Sequence, residues 1–374
     1  MIKRFPKARI CTLFITHGCN LNCTYCFENH KDIQKKMSVD LAKKIVLGEF
    51  EKVRKSEVND ALKIDLFGGE PLINFDFIKE FSEWLWKQDI EIPYIIYATT
   101  NGTLLNDEKK EWFRKNKDKI VLVMSVDGDS AMQLSNRGCN TEKLPIEFAY
   151  ELWPDQPFKM TISRDTLSRF ADGLISLIKK GYLVESRLAQ GENWQKEDAA
   201  IYKEQLEKVS NFYLIHKDEY KPGSLFTRLY GDVLTTDTPL KFCGAGTNMI
   251  AYDVDGKTYP CHLFSPIVLG KDTRDVFEKI DFHNPDELIE NSCLECKMVR
   301  MCPSCIGFNY YERGDVKKRD KSMCRLMLAE AQTISTFQII YYMERKNQLT
   351  DEELVKLKAS LLVYEQLKDF EFDN

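Results

Sequence analysis

No stretch of this 374-residue chain approaches the roughly 18 to 20 consecutive apolar residues that cross a bilayer. Its basic start, Met1-Ile2-Lys3-Arg4, runs into Phe5-Pro6-Lys7 where a signal peptide would carry its apolar core. A membrane segment and a secretion signal are thus excluded from the reading, which expects a cytoplasmic protein. Positive charge is not in surplus either. Against 58 Asp and Glu stand 53 Lys and Arg, a net charge of -5, so no basic field draws the chain to nucleic acid. Internal repeats and low-complexity segments are missing as well. What remains, 43% hydrophobic and 30% charged, describes a globular chain with room for one large domain and a smaller one.

Cysteine, by contrast, is plentiful. The chain has 12, and in a reducing compartment short cysteine pairs point to metal rather than disulfides. Three lie in Cys19-Asn20-Leu21-Asn22-Cys23-Thr24-Tyr25-Cys26, just after the apolar run Ile10 to Thr16. Seven follow far downstream, and Cys11 and Cys139 are left over. A [4Fe-4S] cube normally takes four thiolates. A three-cysteine loop therefore leaves one iron open to a small chelating molecule, for which S-adenosylmethionine is the most economical candidate. The alternative is three buried or zinc-binding cysteines.

From Ala8 to about Tyr213, short apolar runs alternate with longer amphipathic segments, the signature of βα units and a parallel sheet. The pattern predicts strands near 9–16, 62–67, 92–99, 119–125, 158–163 and 182–188. Helices are expected near 38–54, 75–87, 106–115, 144–151, 166–179 and 196–212. Six such units are too few to close an eightfold barrel, so the expected fold is α/β, a partial (β/α)6 TIM-like barrel with reactive groups at the carboxyl ends of its strands. Phe67-Gly68-Gly69-Glu70-Pro71 ends the second strand: two glycines admit close backbone approach by a ligand, and the carboxylate beside them can face an ammonium group. Thr99-Thr100-Asn101-Gly102 and Ser125-Val126-Asp127-Gly128 end the third and fourth. Each of these also reads as an ordinary turn.

The spacing C-x3-C-x2-C, with aromatic Tyr25 before the last cysteine, resembles the radical SAM superfamily. The resemblance implies a partial barrel, a cube held by Cys19, Cys23 and Cys26, and a bound S-adenosylmethionine reductively cleaved to a 5'-deoxyadenosyl radical. It also assigns Tyr25, Gly68, Gly69, Glu70 and Pro71 to the cofactor, with Glu70 near the methionine amino group. Asn101, Ser125, Asp127 and Arg137 would contact cofactor or substrate, and Ser163 and Leu188 would lie around the ribose and adenine.

The segment Lys217 to Pro239, with Pro222-Gly223, is poor in periodicity and reads as a linker. The expected organisation is a barrel at 1–215, a linker at 216–239, a cysteine-rich domain at 240–326 and terminal helices at 327–374. Cys243, then Gly256 and Cys261, then Cys293-x2-Cys296-x5-Cys302-x2-Cys305 and Cys324 resemble the SPASM extension, which binds two auxiliary [4Fe-4S] clusters. By that resemblance Cys293, Cys296, Cys302 and Cys324 hold the outer cluster, and Cys243, Cys261 and Cys305 the inner one. The last spacing departs from the family, since only Pro303 and Ser304 precede Cys305. A zinc ribbon is the competing reading of the paired cysteines. Asp253-Val254-Asp255-Gly256-Lys257 reads as a hairpin turn, and Thr350 with Glu353 as a helix-capping box.

The resemblance implies an oxidoreductase with three [4Fe-4S] clusters. Its function would be to modify a carbon of a ribosomally made peptide, through a thioether or carbon-carbon crosslink. It implies as partners the peptide or protein substrate, a flavodoxin- or ferredoxin-type reductant, and a separate leader-recognition protein, because the first strand begins about ten residues in. Anaerobic sulfatase maturation to formylglycine is the alternative. There the residue after the second auxiliary cysteine is an aspartate base, whereas this chain has His262, itself a candidate base. An electron carrier or zinc-stabilised binding module is the third reading, and it requires both the cysteine loop and the glycine motif to be accidental.

Overall fold

Strand β1 (Ala8–His17) is buried continuously from Cys11 to His17. A strand can be apolar on both faces only when other elements cover both, and it needs paired neighbours on both edges to satisfy its backbone. In a computed structural model that describes residues 5–228, 243–296 and 298–370, β1 has those neighbours. It lies between β3 (Ala61–Gly68) and β8 (Met249–Tyr252), parallel to both. Beyond β3 come β4 (Tyr94–Thr100) and β5 (Ile120–Met124), also parallel. Beyond β8 lies β9 (Thr258–Tyr259), antiparallel to it. A seventh strand, β2 (Asp32–Lys36), pairs antiparallel with the end of β1 through Thr16–Lys36 and His17–Asp32. Two further strands, β6 (Phe158–Ile162) and β7 (Val184–Leu188), form a sheet of their own.

Helices α1 (Val39–Arg54), α2 (Phe75–Leu85), α3 (Asp107–Asn116), α4 (Ser130–Arg137), α5 (Ile146–Leu152), α6 (Phe170–Ile178) and α7 (Asp198–Ile215) alternate with these strands. The chain is thus a mixed α/β fold with a parallel sheet, as the βα pattern predicts. Short turns α8 (Pro266–Leu269), α9 (Arg274–Phe277) and α10 (Asn291–Leu294) precede α11 (Ile306–Arg313), α12 (Lys321–Met343) and α13 (Asp351–Leu367). The expected capping box at the start of α13 is present, with Thr350 accepting from the Glu353 amide and Glu353 accepting from Thr350. Tyr341 and Tyr342 are buried, in keeping with a packing role. Among the described residues, no helix is long and apolar enough to cross a membrane.

Two compact units emerge. One comprises Met1–Val126, Arg137–Phe158 and Gly244–Glu287; the other comprises Asp127–Asn136, Lys159–Cys243 and Leu288–Asn374. The hairpin Asp253–Lys257, expected with the cysteine-rich segment, follows β8 and so belongs to the sheet of β1. Of the expected linker, 229–239 lies outside the described residues, as do 240–242 at the start of the expected cysteine-rich domain.

Helix α1 shows how the sheet is covered. Ala42, Val46, Glu49, Phe50 and Val53 form its buried face at helical spacing, so one carboxylate is buried with them. Glu49 is held by Arg9 (2.5 Å), Lys52 (2.6 Å) and the Tyr252 hydroxyl (2.6 Å). Burial pushes its carboxyl up, and these three donors pull it below the ordinary value of 4.5. Because the folded value is depressed, ionised Glu49 stabilises the fold at neutral pH, and that contribution is lost as pH falls through the folded value. Glu49→Gln is expected to cost about 1–3 kcal/mol at pH 7 and to flatten the loss of stability on acidification. Denaturant unfolding at a series of pH values between about 3 and 7 checks both.

Candidate functional site

Strands β1 and β3 run parallel in register, with Phe14 opposite Phe67 and Thr16 opposite Gly68. Their carboxyl ends therefore release two loops side by side, the cysteine loop and Gly69-Glu70-Pro71. The loops touch through backbone. The Glu70 amide donates to the Gly18 carbonyl at 2.8 Å. A Cβ on Gly69 would stand 2.5 Å from the Gly18 oxygen and 2.7 Å from the Cys19 Cβ. Gly68 has φ of 143°, and a Cβ there would meet the Thr16 oxygen at 2.0 Å. Both positions admit only glycine, and what approaches them closely is the chain's own β1 end and cysteine loop, where the sequence reading expects a ligand.

Glu70 is fully buried, and its carboxylate is already an anchor. Oε1 accepts from the Leu72 amide (3.0 Å) and the Thr100 hydroxyl (2.7 Å), and Oε2 accepts from the Asn101 amide (2.7 Å). Burial raises its carboxyl, while these donors and the Arg137 charge oppose the rise. Glu70 caps the turn that Pro71 begins, a position where proline lacks no needed donor. A carboxylate has about four lone-pair positions, so acceptor capacity remains for a ligand ammonium. Asn101 donates to Asn20 at 3.0 Å and so ties the end of β4 to the cysteine loop. The Ser125 amide donates to the Thr100 carbonyl. Buried Arg137 lies over the Tyr25 ring, 5.4 Å from its centroid. Tyr25, Gly68, Gly69, Glu70, Pro71, Asn101, Ser125 and Arg137 all belong to the unit that carries Cys19, Cys23 and Cys26.

The sequence reading missed several groups in this region. Glu28, two residues past Cys26, is buried; burial pushes its carboxyl up to about 7, with Lys31 opposing and Glu70 adding to the rise, and its Oε1 has no hydrogen-bond partner. His17, two residues before Cys19, shares a buried 2.5 Å hydrogen bond with Asp253 of the hairpin. An ionised carboxylate only accepts, which places a proton on Nε2. His262 stands between Phe67, 5.0 Å away, and Phe27, 5.7 Å away, centroid to centroid. Those rings flank the glycine motif and follow Cys26. Proximity to the motifs is the sequence signal for Glu28 and His17; His262 is the one group here that the sequence reading does single out, as the residue after Cys261, and nothing in the sequence brings Asp253 to His17.

Asp127, Ser163 and Leu188 belong to the other unit. Asp127 is fully buried and accepts from the Thr161 amide (2.9 Å) and Asn136 (3.2 Å), and Ser163 donates to Asn136 at 2.6 Å. Their polar groups hold the end of β6 to α4. Leu188 is buried at the end of β7.

The thiols fit iron-sulfur ligation by their surroundings. Cys19 Sγ accepts from the Leu21 amide at 3.5 Å, and Lys31, whose ammonium donates to the Leu21 carbonyl, works against burial by lowering the thiols of Cys19 and Cys26 with its charge. Burial raises the Cys19 and Cys26 thiols, a cost that a bound cation reverses. Downstream, the Cys324 thiol is pushed up to about 11 by burial and by Cys302, Cys293 and Cys296, so Cys324 stands within electrostatic reach of the other three expected outer ligands. Met298, Met301, Met327 and Leu328 wall the space beside Cys296, Cys302 and Cys324. Cys305 is pushed up to about 11 by burial, with Cys243 adding to it. Cys261 is buried in the unit that carries the first loop. Among the described residues, no three His, Cys, Asp or Glu side chains converge on a single metal ion. Sulfurs on one zinc stand about 3.8 Å apart, whereas a cube takes each thiolate at a separate corner.

Comparisons with known proteins agree with this geometry. Residues 13–144 match the sequence family described as the radical SAM superfamily. The radical SAM cyclopropyl synthase TigE of Paramaledivibacter caminithermalis is 23% identical over 349 residues, covering 84% of this chain and 71% of its own. A cysteine-type anaerobic sulfatase-maturating enzyme of Clostridium perfringens is 24% identical over 339 residues, covering 79% and 90%. The solved structure of anSMEcpe with bound AdoMet shares the fold at a TM-score of 0.67, with 18% identity over 94% of this chain and 98% of that one.

The contact of Gly69 with Gly18 and Cys19 yields a test. Gly69→Ala must push the cysteine loop away, so after anaerobic reconstitution the variant is expected to keep its far-ultraviolet circular dichroism and to lose about four iron atoms per chain. Full iron in the variant would show that the two loops part without consequence.

Proposed function

Because this chain belongs to the radical SAM superfamily and is an enzyme of the kind that includes peptide modifiers and sulfatase maturases, we propose that it oxidatively modifies a side chain or backbone carbon of a ribosomally made peptide, forming a thioether or carbon-carbon crosslink. The family match includes both the cysteine loop and the glycine motif, which sets aside the reading as a carrier or zinc module. S-adenosylmethionine, with a reduced [4Fe-4S] cluster, supplies hydrogen-atom abstraction from an unactivated carbon. In this reading Cys19, Cys23 and Cys26 hold that cluster, and Gly68 and Gly69 let the second loop close on the first, beside the methionine portion. Glu70 offers its remaining lone pairs to the ammonium, and Arg137 and Tyr25 close the side of the site. Asp127 and Ser163 serve the cofactor by fixing the ends of the strands they follow, through the Thr161 amide and Asn136. The downstream cysteines hold two auxiliary clusters, and the reductant is a flavodoxin- or ferredoxin-type protein.

The observation that carries the reading is the place of His262, between a ring that follows Cys26 and a ring that precedes the glycine motif. The residue after Cys261 is thereby brought to the first loop, where a base can take the proton a substrate releases as it is oxidised. Support for bond formation comes from the cyclopropyl synthase relative. Formylglycine formation is the second reading, and the 90% coverage of a sulfatase-maturating enzyme favours it. His262 stands where that reading asks for aspartate.

Anaerobically reconstituted protein is expected to bind the iron of three clusters, about twelve atoms, and to release 5'-deoxyadenosine from S-adenosylmethionine and dithionite. Cys23→Ala is expected to abolish that release. His262→Ala is expected to retain it and to lose product formation about 100-fold or more, once a substrate is identified among short cysteine-rich peptides or sulfatase peptides. Iron near four atoms with zinc present, or no 5'-deoxyadenosine, defeats the proposal.

A further inference from the structure

The cysteine loop spans one iron site but needs more than its own residues to hold its shape. Strand β2 returns antiparallel along the end of β1, with Asp32 opposite His17. The residue just before β2 is thereby laid against the loop, and that residue is Lys31. Its Nζ donates to the Leu21 carbonyl at 3.1 Å, between Cys19 and Cys23, and its charge acts on Cys26. Its charge also acts on Cys19. One ammonium therefore addresses the loop at its first cysteine, its middle and its last. The other ionisable groups acting on these thiols are the buried carboxyls of Glu28 and Glu70. Lys31 is the cation that opposes them.

A cluster accepting one electron becomes more negative by one charge. A fixed ammonium nearby stabilises that reduced form more than the oxidised one. We propose that Lys31 raises the reduction potential of the cluster at Cys19, Cys23 and Cys26, bringing it within reach of its electron donor, and straps the loop through Leu21. This rests on the reading that those cysteines hold a [4Fe-4S] cluster. The electron comes from the external reductant; Lys31 keeps its proton throughout and forms no covalent bond.

The full chain, reconstituted without oxygen, is titrated with dithionite while the reduced-cluster signal is followed by electron paramagnetic resonance. The spectrum of Cys23→Ala, which retains only auxiliary clusters, is subtracted to isolate the first. Lys31→Gln keeps a donor for the Leu21 carbonyl but removes the charge. It is expected to lower the reduced-to-oxidised ratio at a given potential about tenfold, which is 59 mV for a one-electron couple. Lys31→Met is expected to shift the potential as far and, lacking the strap, to lose iron faster to a chelator. Lys31→Arg is expected to stay near wild type. An unchanged midpoint in iron-loaded Lys31→Gln overturns the inference, and so does a Lys31→Arg shift as large as that of Lys31→Gln. Should wild type and Cys23→Ala hold equal iron, the cluster reading itself fails, a result distinct from an unchanged potential.

Discussion

The site depends on one steric fact: two loops leaving neighbouring parallel strands press together backbone to backbone, with no side chain between them. Parallel pairing of β1 with β3 places both carboxyl ends at the same edge of the sheet. The absence of a Cβ at Gly68 and Gly69 then lets the second loop settle onto Gly18 and Cys19. Each loop is the wall of the other. The cysteine loop has little local structure of its own beyond the turn from Cys23 to Cys26, so it takes its shape from β3, from Asn101 and from Lys31.

Charge is handled differently at the two ends of the β1 sheet. Toward its amino end, Glu49 is ionised and satisfied by Arg9, Lys52 and Tyr252, which makes the buried carboxylate a fastening between α1, β1 and β8. Toward the carboxyl end, Glu28 and Glu70 are pushed upward by burial, and Glu28 keeps an oxygen without a partner. Leaving a buried polar group unsatisfied has a cost in stability that a purely structural position rarely bears. Among the described residues Glu28 Oε1 lacks a partner whereas Glu49 is met by three donors, the contrast expected between a carboxyl placed for a ligand and one that fastens a helix to a sheet.

Much of the fold could be read in advance because apolar periodicity is a local property. Strand β1 and helix α1 fall within about two residues of their expected bounds, and Thr350 caps α13 as the sequence implies. Strand β2 escaped notice for a physical reason: Asp-Ile-Gln-Lys-Lys is polar and exposed, and it pairs through its backbone, which no side-chain pattern reports. Helix α4, eight residues long, lies within a stretch read as loop. Asp127 was expected at the cofactor by its place at a strand end, but its carboxylate is used inward, on the Thr161 amide and Asn136. A side chain's direction at a strand end depends on the local turn, and the turn is not written in the residue type.

The sequence by itself determined the candidate ligands. Thiols that share a loop must follow one another at short spacing, so Cys19, Cys23 and Cys26 are legible without coordinates, and Gly68 and Gly69 declare a close approach wherever they fall. Only the tertiary structure decided what surrounds them. His17 meets Asp253 across 236 positions of chain, His262 enters between Phe27 and Phe67, and Lys31 arrives by way of an otherwise unremarked strand. Spacing can encode groups that act within one turn of the chain; groups joined by sheet pairing meet through register, which depends on every strand that packs between them.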